Sequence, residues 1–266
     1  MRILLAALGI MTATLGCGGG RGSNTPAGGD PVRMSESEYD IARDLWLRQQ
    51  RPRQALSHAL EAVELDDENA DATHLVALLY LEFCSTGQGD CRLEEAEKYA
   101  RLAIDRKKDF REAKNTLAVV LIHEKKLDAA IQILKPLTAD MLYQTPENAW
   151  GNLGWAYLEQ GRLDQAIDAL RRSVAAQPLF CVGNYRLGLA LARKGQYTEA
   201  LDAYTNAVDT QAAGCSSLQE AYLERGRVLG KLGRTADAGA DFQRCAELDD
   251  KSATGKECRS MQAKNK

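Results

Sequence analysis

The sequence predicts an all-α fold, a stack of about six similar helical repeats. Three observations predict it. Composition is 45% hydrophobic but only 6% aromatic, a balance that suits Ala- and Leu-rich helices. The body of the chain is periodic at about 34 residues: NAWGNLGWAYLEQGRLDQAIDALRRSVAAQP (148–178) matches GNYRLGLALARKGQYTEALDAYTNAVDTQ (183–211). Both carry Leu-Gly, a second glycine seven residues on, and an alanine five beyond that. Only the start of the chain holds an uninterrupted apolar run. The net charge of −3 supplies no basic field for nucleic acid.

The N-terminus comes first. Arg2 gives a small positive start, and Ile3 to Leu15 form an apolar run too short to span a bilayer as a helix. It reads as a secretory signal over residues 1–16. Gly16 before Cys17 resembles the lipobox of bacterial lipoproteins, although Thr14 and Leu15 depart from its usual residues. The resemblance implies that Cys17 becomes the first mature residue and carries a covalent lipid with palmitate among its chains. Gly18, where aspartate would favour inner-membrane retention, implies an outer-membrane address facing the periplasm. From Gly18 to about Arg33 the chain is Gly, Ser, Pro, Asn and Thr, so residues 17–36 are expected to form a flexible tether.

The repeats follow. Trp150, Leu153, Gly154, Tyr157, Gly161, Ala166, Leu170 and Pro178 stand at the signature places of the tetratricopeptide repeat (TPR), which the segment closely resembles; Ser173 departs mildly. The resemblance implies a right-handed solenoid of helix–turn–helix units. Small residues in both helices let them approach closely, and Gly161 ends the first helix in a left-handed conformation. The second-helix alanine recurs at Ala55, Ala96, Ala130, Ala166, Ala200 and Ala238, which places six repeats over 37–250. The first-helix partner is Ala77, Ala118, Gly154, Gly188 and Gly226 in repeats two to six, and Arg43 falls there in repeat one. Residues 251–266 are expected to hold a capping helix, at about 251–262, and a tail. Lys251, Lys256, Arg259, Lys264 and Lys266 bias that tail positive, as on a solvated helix face.

Seven cysteines are present, and setting Cys17 aside for lipid leaves six. In an exported protein these read as three disulfides. Proximity and the repeat boundaries favour Cys84–Cys91 around the long turn of repeat two, Cys181–Cys215, and Cys245–Cys258 into the cap. A zinc site or a catalytic dithiol is disfavoured: there is no CxxC, and His58, His74 and His123 are scattered.

In tetratricopeptide solenoids certain first-helix positions face a concave groove. One residue after the small residue stand Leu78, Val119, Trp155 and Leu189, an apolar stripe flanked by Asp44 and Arg227. Four residues before them stand His74, Asn115, Gly151 and Tyr185. The stripe reads either as packing between neighbouring helices or as a groove for an apolar or amphipathic segment. The Lys and Asn set of carboxylate-clamping co-chaperones is absent.

No nucleotide, metalloprotease or nucleophile-elbow motif occurs, and Glu94–Glu95 and Asp249–Asp250 fall at helix starts or turns. The expectation is a binding protein with no enzyme activity, no cofactor and no small-molecule substrate. A lipobox, a short tether and six repeats together resemble the type IV pilus pilotin group (Tgl, PilF and PilW). That resemblance implies binding of secretin subunits, promotion of secretin assembly, and a need for the protein in pilus-dependent motility. A periplasmic scaffold for another envelope or cell-wall complex shares the same features.

Overall fold

The structure is a computed structural model and describes residues 29–86, 91–208 and 214–264. The signal segment, Cys17, Gly18 and Lys266 lie outside the described residues. Among the described residues the fold is all-α, thirteen helices and one short 3-10 turn. Helices α1 (Pro31–Leu47) and α2 (Pro52–Leu65) form repeat one, α3 (Ala70–Thr86) and α4 (Leu93–Arg106) repeat two, α5 (Arg111–His123) and α6 (Leu127–Thr138) repeat three. Repeats four to six are α7 (Pro146–Glu159) with α8 (Leu163–Ala176), α9 (Cys181–Arg193) with α10 (Tyr197–Val208), and α11 (Gln219–Lys231) with α12 (Thr235–Leu248). Helix α13 (Ala253–Lys264) closes the stack.

Each helix packs on the next, and the first helices of adjacent repeats also touch. Short connections make neighbours antiparallel. The turns inside repeats therefore line one edge of the stack. The loops between repeats, with the start of α1, line the other.

Packing between the two helices of a repeat follows side-chain size. Four residues after each marker alanine stand Ala59, Ala100, Leu134, Leu170, Tyr204 and Phe242, all in the core. The three last repeats face these large groups with glycine. A Cβ on Gly154 would lie 2.5 Å from Leu170, one on Gly188 2.5 Å from Tyr204, and one on Gly226 2.6 Å from Phe242. The turns inside these repeats need a left-handed residue, supplied by Gly161, Gly195 and Gly233, and by Lys125 and Gln50 in repeats three and one.

Three boundaries differ from the sequence reading. Helix α1 takes in 31–36, assigned above to the tether. Asp30 accepts the Val32 N–H (3.2 Å), and Pro31 occupies the first turn, where its missing donor costs nothing. Averaging composition across Gly18–Arg33 hid this start signal. In repeat one the fully buried residue is Ala42, while Arg43 is exposed. The turn is one residue longer there. Arg51 N–H closes back on the Leu45 carbonyl, whereas Arg162 closes on Tyr157 and Gln196 on Leu191. The cap starts at Ala253, because Ser252 Oγ accepts the Gly255 N–H (2.9 Å) and so marks the helix start.

The cap is tied to the last repeat. Gln219 donates to the carbonyls of Cys245 (2.6 Å) and Asp249 (2.8 Å), and Ser252 donates to Gln219 (2.7 Å). Arg225 and Asp241 form a two-pronged ion pair at 2.8 Å within repeat six.

Candidate partner-binding groove

Leu78, Val119, Trp155 and Leu189 each stand on the first helix of successive repeats, and all four are half-buried. The stripe is therefore neither core nor free surface. Trp155 is the largest side chain of the stripe and is partly enclosed. The His123 ring meets it edge-on at 5.1 Å, and the Arg186 guanidinium lies 4.3 Å above its face. Lys125 pairs the Glu159 carboxylate, one turn further along the same helix, at 2.6 Å. Packing against neighbouring first helices thus engages part of this stripe.

The second row behaves differently at each place. Asn115 accepts a hydrogen bond from Asn152 (3.0 Å), whose own carbonyl accepts one from Arg186 (2.9 Å). These three side chains join three first helices in a polar line beside the apolar stripe. Burial pulls the Arg186 guanidinium down to about 10, so it stays charged at neutral pH. Sequence reading missed Asn152 and Arg186. Both sit two residues before the small glycine of their repeats, and that recurrence was the available signal. Tyr185 rests on Tyr204 at 6.2 Å, with its hydroxyl pushed up to about 12 by burial. Gly151 does not line the groove, since it is buried with Ser173 and Phe180 each 3.0 Å from where a Cβ would stand. Asp44 is displaced from its expected flanking place by the longer turn of repeat one. Arg227 is held by Glu224 and by Glu257 of the cap.

His74 packs against the next first helix. Its Nε2 lies 2.8 Å from Thr116 Oγ1, and its ring meets Phe110 edge-on at 4.8 Å. Burial lowers it from 6.5 to about 4, with Asp71 opposing weakly. The folded state therefore resists protonation that the unfolded chain accepts. Stability is full above pH 6.5 and is lost as pH falls from there towards 4. The loss should be of order 2–3 kcal/mol. Urea midpoints at pH 7 and pH 4.5 check this, and His74→Gln should flatten the acid slope. An unchanged slope would assign the acid sensitivity elsewhere.

Disulfides join Cys84 to Cys91, Cys181 to Cys215 and Cys245 to Cys258, with Cα separations of 4.2, 5.5 and 6.0 Å. Each lies at a loop or at the cap, where it restrains a boundary between helices. Among the described residues every cysteine is bonded, so no thiol is available there for redox chemistry. Among the described residues one group of side chains has metal-ligand reach, Glu38, His58 and Glu61, with ligand atoms within 4.8 Å of one another. His58 Nδ1 and Glu38 Oε2 already engage each other at 2.5 Å.

A solenoid of this kind, with a half-buried apolar stripe and a polar line along its first helices, defines a class: a non-enzymatic scaffold that binds other proteins. The tetratricopeptide repeat family matches residues 147–180 and 185–253. Among solved structures, the chain is similar to PilW, described as a widely conserved type IV pilus biogenesis factor. That likeness has a TM-score of 0.68 at 22% identity and covers 84% of this chain and 97% of PilW. It is also similar to PilF of Pseudomonas aeruginosa, with a TM-score of 0.65 at 17% identity, covering 86% of this chain and 98% of that one. A tetratricopeptide repeat protein of Parabacteroides merdae reaches a TM-score of 0.68 at 13% identity, covering 86% and 84%. These likenesses show the fold. A curated relative, the BBSome complex member BBS4 homolog of Drosophila melanogaster, is 25% identical over 227 residues. The match takes in 85% of this chain, which spans under half of that protein's length, 43%.

Proposed function

We propose that this protein is an outer-membrane lipoprotein that faces the periplasm and promotes assembly of the type IV pilus secretin. The observation that carries the reading is the end-to-end fit: nearly all of PilW and PilF superposes on the repeat body of this chain. The lipobox-like Gly16–Cys17 and the Gly-rich stretch after it support a lipid anchor. The mechanism is physical. The stripe at Leu78, Val119, Trp155 and Leu189 holds an apolar segment of an unassembled secretin subunit. Asn115, Asn152 and Arg186 offer hydrogen bonds to its polar groups. Confinement to a membrane surface raises the local concentration of bound subunits and favours oligomerisation.

Deleting the protein should abolish detergent-resistant secretin multimers, surface pili and pilus-dependent motility. Normal multimers in the deletion strain would turn the reading towards a scaffold for another envelope complex. Trp155→Glu should weaken secretin capture by at least ~10-fold, the scale of an aromatic hot spot. The new carboxylate would lie beside Arg186, so the helical fold should persist in circular dichroism. Unchanged capture by the folded variant would assign Trp155 to packing alone.

A further inference from the structure

Large apolar side chains are exposed unevenly on this solenoid. Eight are exposed among the described residues, and five of them lie on the edge formed by the inter-repeat loops. Val32 and Met34 are in the first turn of α1, Met141 and Leu142 in the loop between α6 and α7, and Leu179 in the loop between α8 and α9. Single exposed apolar residues are ordinary on protein surfaces. A concentration on one edge is not.

The tip at Met141–Leu142 is also built. Met141 is 97% exposed and Leu142 67%. The loop is braced on both sides of them. Arg111 holds Asp140 at 2.6 Å, and Asp140 Oδ1 accepts the Leu142 N–H at 2.9 Å. The next residue, Tyr143, is buried and its N–H bonds the Asp140 carbonyl at 3.1 Å. The spacing from Ala130 to Ala166 is 36 residues, longer than the usual 34, and the excess falls in this loop. A braced turn thus presents two apolar side chains to the outside. Lys107 and Lys108 stand in the preceding loop of the same edge, between α4 and α5. Asp66, Asp67 and Glu68 occupy the loop after repeat one and separate Val32 and Met34 from the apolar residues of repeats three to five.

The chain itself points to what this edge meets. Helix α1 starts on the same edge, so the segment leading back to Cys17 leaves from it. The thirteen residues from Cys17 to Gly29 reach at most ~45 Å when fully extended. Three repeats separate α1 from the Met141 loop, roughly 30 Å at one helix spacing per repeat. An anchor of that length lets the edge reach the lipid surface as far along the stack as the Met141 loop.

We infer that the inter-repeat edge is a membrane-contact surface, with Met141, Leu142 and Leu179 resting in the head-group region of the leaflet that holds the lipid of Cys17. The inference rests on the anchor proposed above. The stack axis then lies parallel to the membrane, and the groove opens sideways along it.

The test uses the mature lipidated protein on phosphatidylethanolamine–phosphatidylglycerol vesicles with brominated acyl chains. Leu142→Trp places a probe on the edge, and Leu232→Trp places one in a turn on the opposite edge. After subtraction of the native tryptophan signal, Leu142→Trp should emit further to the blue and be quenched more strongly than Leu232→Trp. Equal quenching in protein that co-sediments with vesicles overturns the contact and leaves the anchor standing. Protein that stays in the supernatant overturns both. Shielding of Leu142→Trp that appears only when secretin subunits are added assigns the turn to a protein partner and overturns the lipid contact.

Discussion

Gly188→Ala is expected to destabilise the solenoid by about 2–3 kcal/mol, near the upper end for an added methyl group in a packed core. The new Cβ would lie 2.5, 2.6 and 2.9 Å from three ring atoms of Tyr204. Tyr204 is fully buried, and its hydroxyl has no hydrogen-bond partner, so the ring has no solvated position into which it can swing. Repeat three shows the alternative solution. There Ala118 occupies the glycine place and Leu134 the tyrosine place, both fully buried. The double variant Gly188→Ala/Tyr204→Leu should therefore recover most of the loss, since it shrinks the ring and removes the unpartnered hydroxyl. Urea unfolding of wild type, both singles and the double decides it. A double variant no more stable than Gly188→Ala would show that the clash with Tyr204 is not the cause.

Cys17→Ala should move the protein from the membrane to the soluble periplasmic fraction and strongly reduce secretin multimers. A diffusing domain keeps its groove but loses the raised local concentration that a surface supplies. Fractionation with secretin immunoblotting checks both outcomes. Normal multimers with soluble protein would separate the binding role from the anchor. The same strain tests whether overproduction restores assembly, as expected if the anchor acts only through concentration.

Much of this molecule was legible in its sequence. The marker alanines counted six repeats, because each is fixed by a close helix–helix approach that no larger side chain permits. The stripe from Leu78 to Leu189 was found by the same register. Its partners were harder to see. Arg186 over Trp155, and the line from Asn115 through Asn152 to Arg186, join residues 31 to 37 positions apart, and single-repeat patterns carry no trace of contacts between repeats. The start of α1 was obscured by the Gly-rich composition around it, although Asp30 and Pro31 marked it locally. Ala42 was missed because one extra turn residue shifts the spacing without altering any signature residue.

The sequence by itself determined the helical class, the number of repeats and the place of each small residue. Those are consequences of nearest-neighbour sterics, which recur every 34 residues and so write themselves into the chain. Only the tertiary structure decided which stripe residues are covered by side chains, that His74 is held neutral between α3 and α5, and that apolar tips gather on the edge from which the N-terminal segment leaves. These depend on how one repeat sits on the next. That geometry is a sum of many weak contacts between residues far apart in the chain, and no short segment encodes it.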